Sequence, residues 1–187
     1  MFLILLFCSL QAAATSVLPV SLQRMAQTAE MIFHGTAIGN EVRLDPASGR
    51  VATYTSFKVI EVIKGNPGAT HTIKQIGGQL PGSNVRLMIH GVPRFAVGEE
   101  YVIFLPKASS LGFASPIGLS QGKFDIRKLN GQAVVTDGRA RAAEMKTAPQ
   151  LDLPDTPSAI AADPMPDQPA TLHLADFLQT VRSMVKE

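Results

Sequence analysis

A chain of 187 residues has room for one domain, or for one domain with appendages. Its hydrophobic content of 45% is enough to build a packed core, and a net charge of +2 with acids and bases interspersed supplies no concentrated basic face for nucleic acid. Trp is absent, and the one cysteine, Cys8, lies in the N-terminal apolar run, so the rest of the chain must be held by burial without disulfides.

Residues 1–14 read as a signal peptide. An apolar run from Phe2 to Leu10 leads into Ala12-Ala13-Ala14, which satisfies the A-x-A rule and places cleavage after Ala14. No Lys or Arg precedes the run, so either the amino terminus alone supplies the charge or the true start lies upstream. The run is shorter than the roughly 20 residues a membrane-spanning helix needs. No later run is long enough either, so no transmembrane span is expected after cleavage. Phe7 ahead of Cys8 argues against lipidation. The expected location is secreted or periplasmic.

Residues 15–140 read as one β domain that opens with a helix. Leu22, Met25, Ala26 and Ala29 fall at i, i+3, i+4 and i+7, on one helix face, with Ser21 as the N-cap. From Glu30 to Leu44 the period changes, and apolar residues occur in both alternating sets, as in a strand covered on both faces. Asp45-Pro46-Ala47-Ser48-Gly49 is a turn that joins it to Val51–Ile63 as a hairpin. In that long run Phe57, Val59 and Ile63 share one alternating set, and Tyr54, Ile60 and Val62 the other. Glu61 falls among the first set and breaks its pattern, which predicts a bulge or a change of burial there and suits a curved or closed sheet.

Further strands are expected at Ala69–Ile76, Val85–His90 and Glu100–Leu105. Loops are expected at 77–84 and 91–98. Ile117–Leu129 and Gln132–Thr136 flank Asn130-Gly131, the strongest short hairpin signal, since a type I′ turn needs φ > 0 at both central residues. Residues 141–170 read as a Pro-rich linker: Ala148–Ala170 holds six prolines and four aspartates and no Lys or Arg. Residues 171–187 read as an amphipathic helix with Leu174, Leu178, Val181 and Val185 on one face, flanked by Phe177. Asp176 comes early and Arg182 and Lys186 late, matching the helix dipole. Docking on the β domain is the expected use of the apolar face.

Several motifs have bland counterparts. Gly118-Leu119-Ser120-Gln121-Gly122 matches the G-x-S-x-G nucleophile elbow, which requires a strand-to-helix turn. Here the following residues alternate like a strand. Ser120 and Lys123 also match S-x-x-K, without the accompanying elements of penicillin-recognising enzymes. His34, His71, His90 and His173 are scattered, and a zinc site needs three or four convergent ligands. Glu99 and Glu100, adjacent on a strand, point to opposite faces. Gly77-Gly78 and Gly82 lack the Lys-Ser/Thr of a phosphate loop. No catalytic residue, metal or cofactor is expected. The candidate interaction surface is the loop 91–98, where Val92, Pro93, Phe95 and Val97 cluster around Arg94. Phe95 either plugs the end of the β domain or stands out as an apolar anchor beside a cation.

The order of segments resembles a family of bacterial secreted proteins, mostly uncharacterised. The resemblance rests on Ala29-Glu30-Met31-Ile32-Phe33-His34-Gly35, on Tyr54 through Lys64-Gly65, on Gly91 through Leu105, and on Gly118 through Phe124. Members are often encoded near matrixin-type metalloproteases, which implies an association with such a protease. The same order is similar to netrin-like and tissue-inhibitor-of-metalloproteinase domains, OB-like five-stranded barrels with terminal helices. Those inhibitors chelate zinc through an N-terminal cysteine. The expected mature start here is Thr15 and no cysteine follows, so that mechanism is not carried over. The resulting expectation is a mainly β fold, a small OB-like barrel or curved antiparallel sheet with one helix at each end. Its expected function is a non-enzymatic interaction module, with a secreted protease or another envelope protein as partner. The alternatives are a regulator or inhibitor of a matrixin-like metalloprotease, and a serine hydrolase centred on Ser120.

Overall fold

The computed structural model describes residues 19–137 and 172–186. The expected signal peptide (1–14) and the Pro-rich linker (141–170) lie outside the described residues. The helix read from the i, i+3, i+4 pattern is α1, Leu22–Thr28, with the Ser21 hydroxyl accepting from the Arg24 N–H. It stops before Met31 because Ala29 is already extended, at ψ 135°. Met25, Ala26 and Ala29 of the expected face are buried, and Leu22 is half-buried against them.

The strands are β1 (Met31–Leu44), β2 (Val51–Lys64), β3 (Thr70–Ile76), β4 (Gly78–Gln79), β5 (Arg86–Leu87), β6 (Glu100–Leu105), β7 (Lys123–Leu129), β8 (Gln132–Asp137) and β9 (Leu172–His173). A 3-10 turn, Leu119–Gly122, leads into β7, and α2 (Leu174–Lys186) closes the described chain. Seven strands form one antiparallel sheet in the order β3-β2-β1-β6-β7-β8-β9, while β4 and β5 pair as a separate ribbon. The fold is therefore mainly β, an antiparallel sheet with a helix towards each end of the chain.

No ladder among the described residues closes this sheet into a barrel. The connection between β6 and β7 explains part of this. It docks on the outer edge of β3 through a bond from the Ala114 N–H to the Lys74 carbonyl (2.9 Å), and Lys74 Nζ donates to the Leu111 carbonyl. A loop thus occupies backbone that a closing strand would otherwise pair.

β1 is the shared wall of two cores, as its apolar residues in both alternating sets require. On the helix face, Ile32, Val102, Phe104, Phe124, Ile126 and Val135 pack under α1 and under Phe177, Leu178 and Val181 of α2. On the opposite face, called here the loop face, Phe33, Ala37, Phe57, Ile73, Tyr101, Ile103 and Leu105 pack around Phe95. Its rings meet edge to face, Phe33 with Phe57 at 5.7 Å and Phe57 with Phe95 at 4.9 Å.

The disruption read at Glu61 is a β-bulge. His34 pairs with Glu61 and Gly35 with Val59, leaving Ile60 without a partner on β1. The extra residue moves the later odd-numbered side chains to the other face. Phe57 and Val59 serve the loop-face core, whereas Ile63 packs in the helix-face core and Glu61 pairs with Arg182 of α2. The β1–β2 turn is locked by Asp45, which accepts from the Tyr54 hydroxyl (2.7 Å) and the Ser48 N–H (2.9 Å) and pairs with Lys74 at 2.5 Å. The β7–β8 turn has Asn130 at φ 50° and Gly131 at φ 81°, as its Asn-Gly sequence requires.

Candidate functional site

The loop face of β1, β2 and β3 continues past the aromatic core into polar residues. Register places Asn40 opposite Thr55 and Val42 opposite Thr53, with Gln75 opposite Thr53 on the next strand. The chain then turns back over them. Gly77 and Gly78 carry it from β3 directly onto this face, and a Cβ on Gly78 would lie 2.6 Å from Val42 Cγ1 and 2.7 Å from Thr53 Oγ1. Its φ of 136° also disfavours any other residue. The β4–β5 ribbon and the segment 88–95 form the opposite wall. Between the walls lies an open cleft of about 570 Å³.

Three side chains fix the loop 91–98 above the sheet. Phe95, 4% exposed, inserts between Phe57 and Tyr101, with ring centroids at 4.9 and 5.2 Å. Asn40 Nδ2 donates to the Phe95 carbonyl at 2.7 Å, and Thr55 Oγ1 donates to Asn40 Oδ1 at 2.7 Å, which orients the carboxamide. The Tyr101 hydroxyl accepts from the Ala96 N–H at 2.9 Å. Beneath them Lys123 Nζ reaches Asp125 at 3.0 Å and lies 4.7 Å from the Tyr101 ring.

Of the two readings of Phe95, the plug is therefore the one observed. The loop residues divide between two directions. Val92, Pro93, Arg94 and Phe95 line the cleft, whereas Val97 is 58% exposed and does not line it. Arg94 is exposed at the cleft mouth, where Arg94 Nη2 and Arg86 Nε each donate to Met88 Sδ at 3.0 Å.

The remaining sequence motifs are dispersed. Ser120 is exposed on the 3-10 turn, with Gly118 at φ 62° before it and strand β7 after it, so the strand-to-helix context of a nucleophile elbow does not occur there. Lys123 is buried with Asp125, away from solvent, which divides the S-x-x-K pair. His34 lies on the helix face with its Nε2 3.0 Å from Glu100 Oε2. His71 lies on the loop face, edge-on to Phe33 at 5.5 Å, and burial pushes its imidazole pKa down. His90 lines the cleft, and His173 is exposed on β9. Among the described residues, no three His, Cys, Asp or Glu side chains come together as a metal site. No helix among them is long and apolar enough to cross a membrane.

Asn40, Thr53, Thr55 and Gln75 were not among the residues singled out from sequence. Their signal was present: polar residues continue the same alternating sets of β2 and β3 that bury Phe57 and Ile73. No protein-family model matches the chain, and a search of curated proteins returns no match.

Proposed function

We propose that the chain is a non-enzymatic binding module of the secreted or periplasmic compartment, presenting the loop 91–98 to an envelope partner. The observation that carries this reading is the rigidity of the display. Phe95, Asn40 and Tyr101 fasten the loop from beneath, and Val97 faces solvent above it. A loop held in one shape loses little conformational freedom on docking, and an exposed aliphatic side chain gives a partner an apolar contact.

A second reading, regulation or inhibition of a matrixin-like metalloprotease, rests on the resemblance in segment order. What the structure adds is one aromatic core lined by β3, β2, β1 and β6 of the open sheet, with Lys123 and Asp125 of β7 along its margin.

Cross-linking from the loop tests both readings. Once the leader with Cys8 is removed, Val97→Cys carries the only thiol, and an aryl-azide linker attached there is activated in the native envelope. One discrete adduct from position 97, absent when the linker sits at Leu111, is the expected result. Identical adduct patterns from both positions, or none from position 97, overturn the module. A metalloprotease in the adduct selects the second reading, and full activity of that protease with excess protein rejects inhibition.

A further inference from the structure

The cleft beneath the loop has a chemistry of its own, separate from the exposed Val97. We propose that it binds a small amphipathic anion: an apolar body, a neutral hydrogen-bond acceptor that reaches the cleft floor, and an anionic group that stays at the mouth. Two independent observations lead to this ligand.

The first is an unpaired donor. Gln75 lines the cleft at 3% exposure, and its Nε2 is buried without a hydrogen-bond partner. Buried amide donors are nearly always satisfied, so an unpaired one on a residue that lines a cleft marks a place for an acceptor. A carbonyl or ether oxygen suits it. An ionised carboxylate does not, because one amide donor cannot repay the desolvation of a full charge. The occupant must also be narrow enough to enter the cleft, which a folded protein surface is not.

The second is the charge at the mouth. Arg86, Arg94 and His90 line the cleft, and no Asp or Glu does. The two guanidiniums donate to the thioether of Met88, a weak acceptor that an incoming carboxylate or sulfonate readily replaces. Between mouth and floor the wall is apolar, with Val42, Leu87 and Ile89. The volume of about 570 Å³ lies within the usual range of small-molecule sites.

4-Benzoylbenzoate carries the three required features and labels its neighbours on irradiation. With the mature full-length chain, saturable labelling should map to the 85–95 segment. Two competitors dissect it: 4-benzylbenzoate lacks the ketone, and benzophenone lacks the carboxylate. Each should compete about five-fold or more weakly than unlabelled 4-benzoylbenzoate, the cost of one lost hydrogen bond or ion contact. Gln75→Leu should erase the advantage of the ketone, and Arg86→Ala with Arg94→Ala that of the carboxylate. Equal competition by 4-benzylbenzoate would mean that Gln75 is merely hydrated. Equal competition by benzophenone would remove the anion site, and unsaturable labelling spread over the surface would remove the ligand altogether. The competitor experiments use unaltered protein, so they decide the matter even if Gln75→Leu fails to fold. Adducts from Val97 are independent of all these outcomes.

Discussion

Phe95 holds the loop by volume and Tyr101 holds it by one hydrogen bond, and the two contributions differ in size. Phe95→Ala leaves a void between Phe57 and Tyr101. It should cost about 3–5 kcal/mol in urea unfolding, the usual cost of deleting a buried Phe. Val97→Asp, at an exposed position of the same loop, should stay within about 0.5 kcal/mol of the parent. The contrast separates the residue that builds the loop from the one that the loop displays. His71 adds a pH dependence. Burial lowers its pKa from the ordinary 6.5, so the unfolded chain takes up a proton at a pH where the folded one does not. Stability from this group is complete above pH 6.5 and declines as the pH falls below it. The urea midpoint should therefore drop between pH 7 and pH 5, and His71→Phe should flatten that part of the slope. Asp45 acts with the same sign at lower pH. Lys74, then Ser48 and Tyr54, hold its carboxyl well below the usual range, so acid erodes the turn only below about pH 4.

At the scale of elements, α2 is the second cover of the helix face. Phe177, Leu178 and Val181 are buried there against Phe124 and Val135, and Phe177 and Phe124 are 4.9 Å apart. Ending the chain before Leu172 would uncover these sheet residues. Expected are a loss of several kcal/mol, since each large buried side chain is worth about 2–5, and a rise in dye binding to exposed apolar surface. Unchanged unfolding of the shortened chain would show that α2 contributes nothing to the sheet. This element was legible from its own residues, because the i, i+4, i+7 spacing of Leu174, Leu178 and Val181 needs no tertiary information. The β1–β2 hairpin, the bulge near Glu61 and the Asn130-Gly131 turn were legible for the same reason: turn chemistry and broken alternation are local. β4 and β9 were not, and of the strand expected at Val85–His90 only Arg86–Leu87 pairs, since two-residue strands exist only because a neighbour pairs with them. The cleft was hidden in another way. Thr53, Thr55 and Gln75 resemble a solvated strand face until the 77–95 segment is seen to fold over them.

For the molecule as a whole, β1 is the feature on which both cores depend. Ile32 and Phe33 are adjacent, both fully buried, and belong to different cores. Neither core can open without exposing β1, so the sheet should unfold as one unit with no separately melting half. Native-state hydrogen exchange would check this. The amides of Ile32–Gly35 and Val102–Phe104 should be the slowest and should exchange at the global unfolding free energy, while β5 and the loop 91–98 exchange through smaller openings. A slow core on one face and a fast one on the other would contradict the shared wall.

The unpaired Ile60 gives β2 a property that no single side chain reveals: it contains a residue that its register with β1 does not use. Ile60 is exposed, and Ile60→Ala should change stability by no more than about 0.5 kcal/mol. Deleting the same residue would set Glu61 directly after Val59, and those two already face opposite sides, as their partners His34 and Gly35 do. Glu61 would keep its pairing with Arg182, and Ile63 would stay with the helix-face core. Cooperative unfolding should survive that deletion, and its loss would contradict the register. The bulge thus lets this strand give up a residue at position 60 without turning any later side chain to the wrong face.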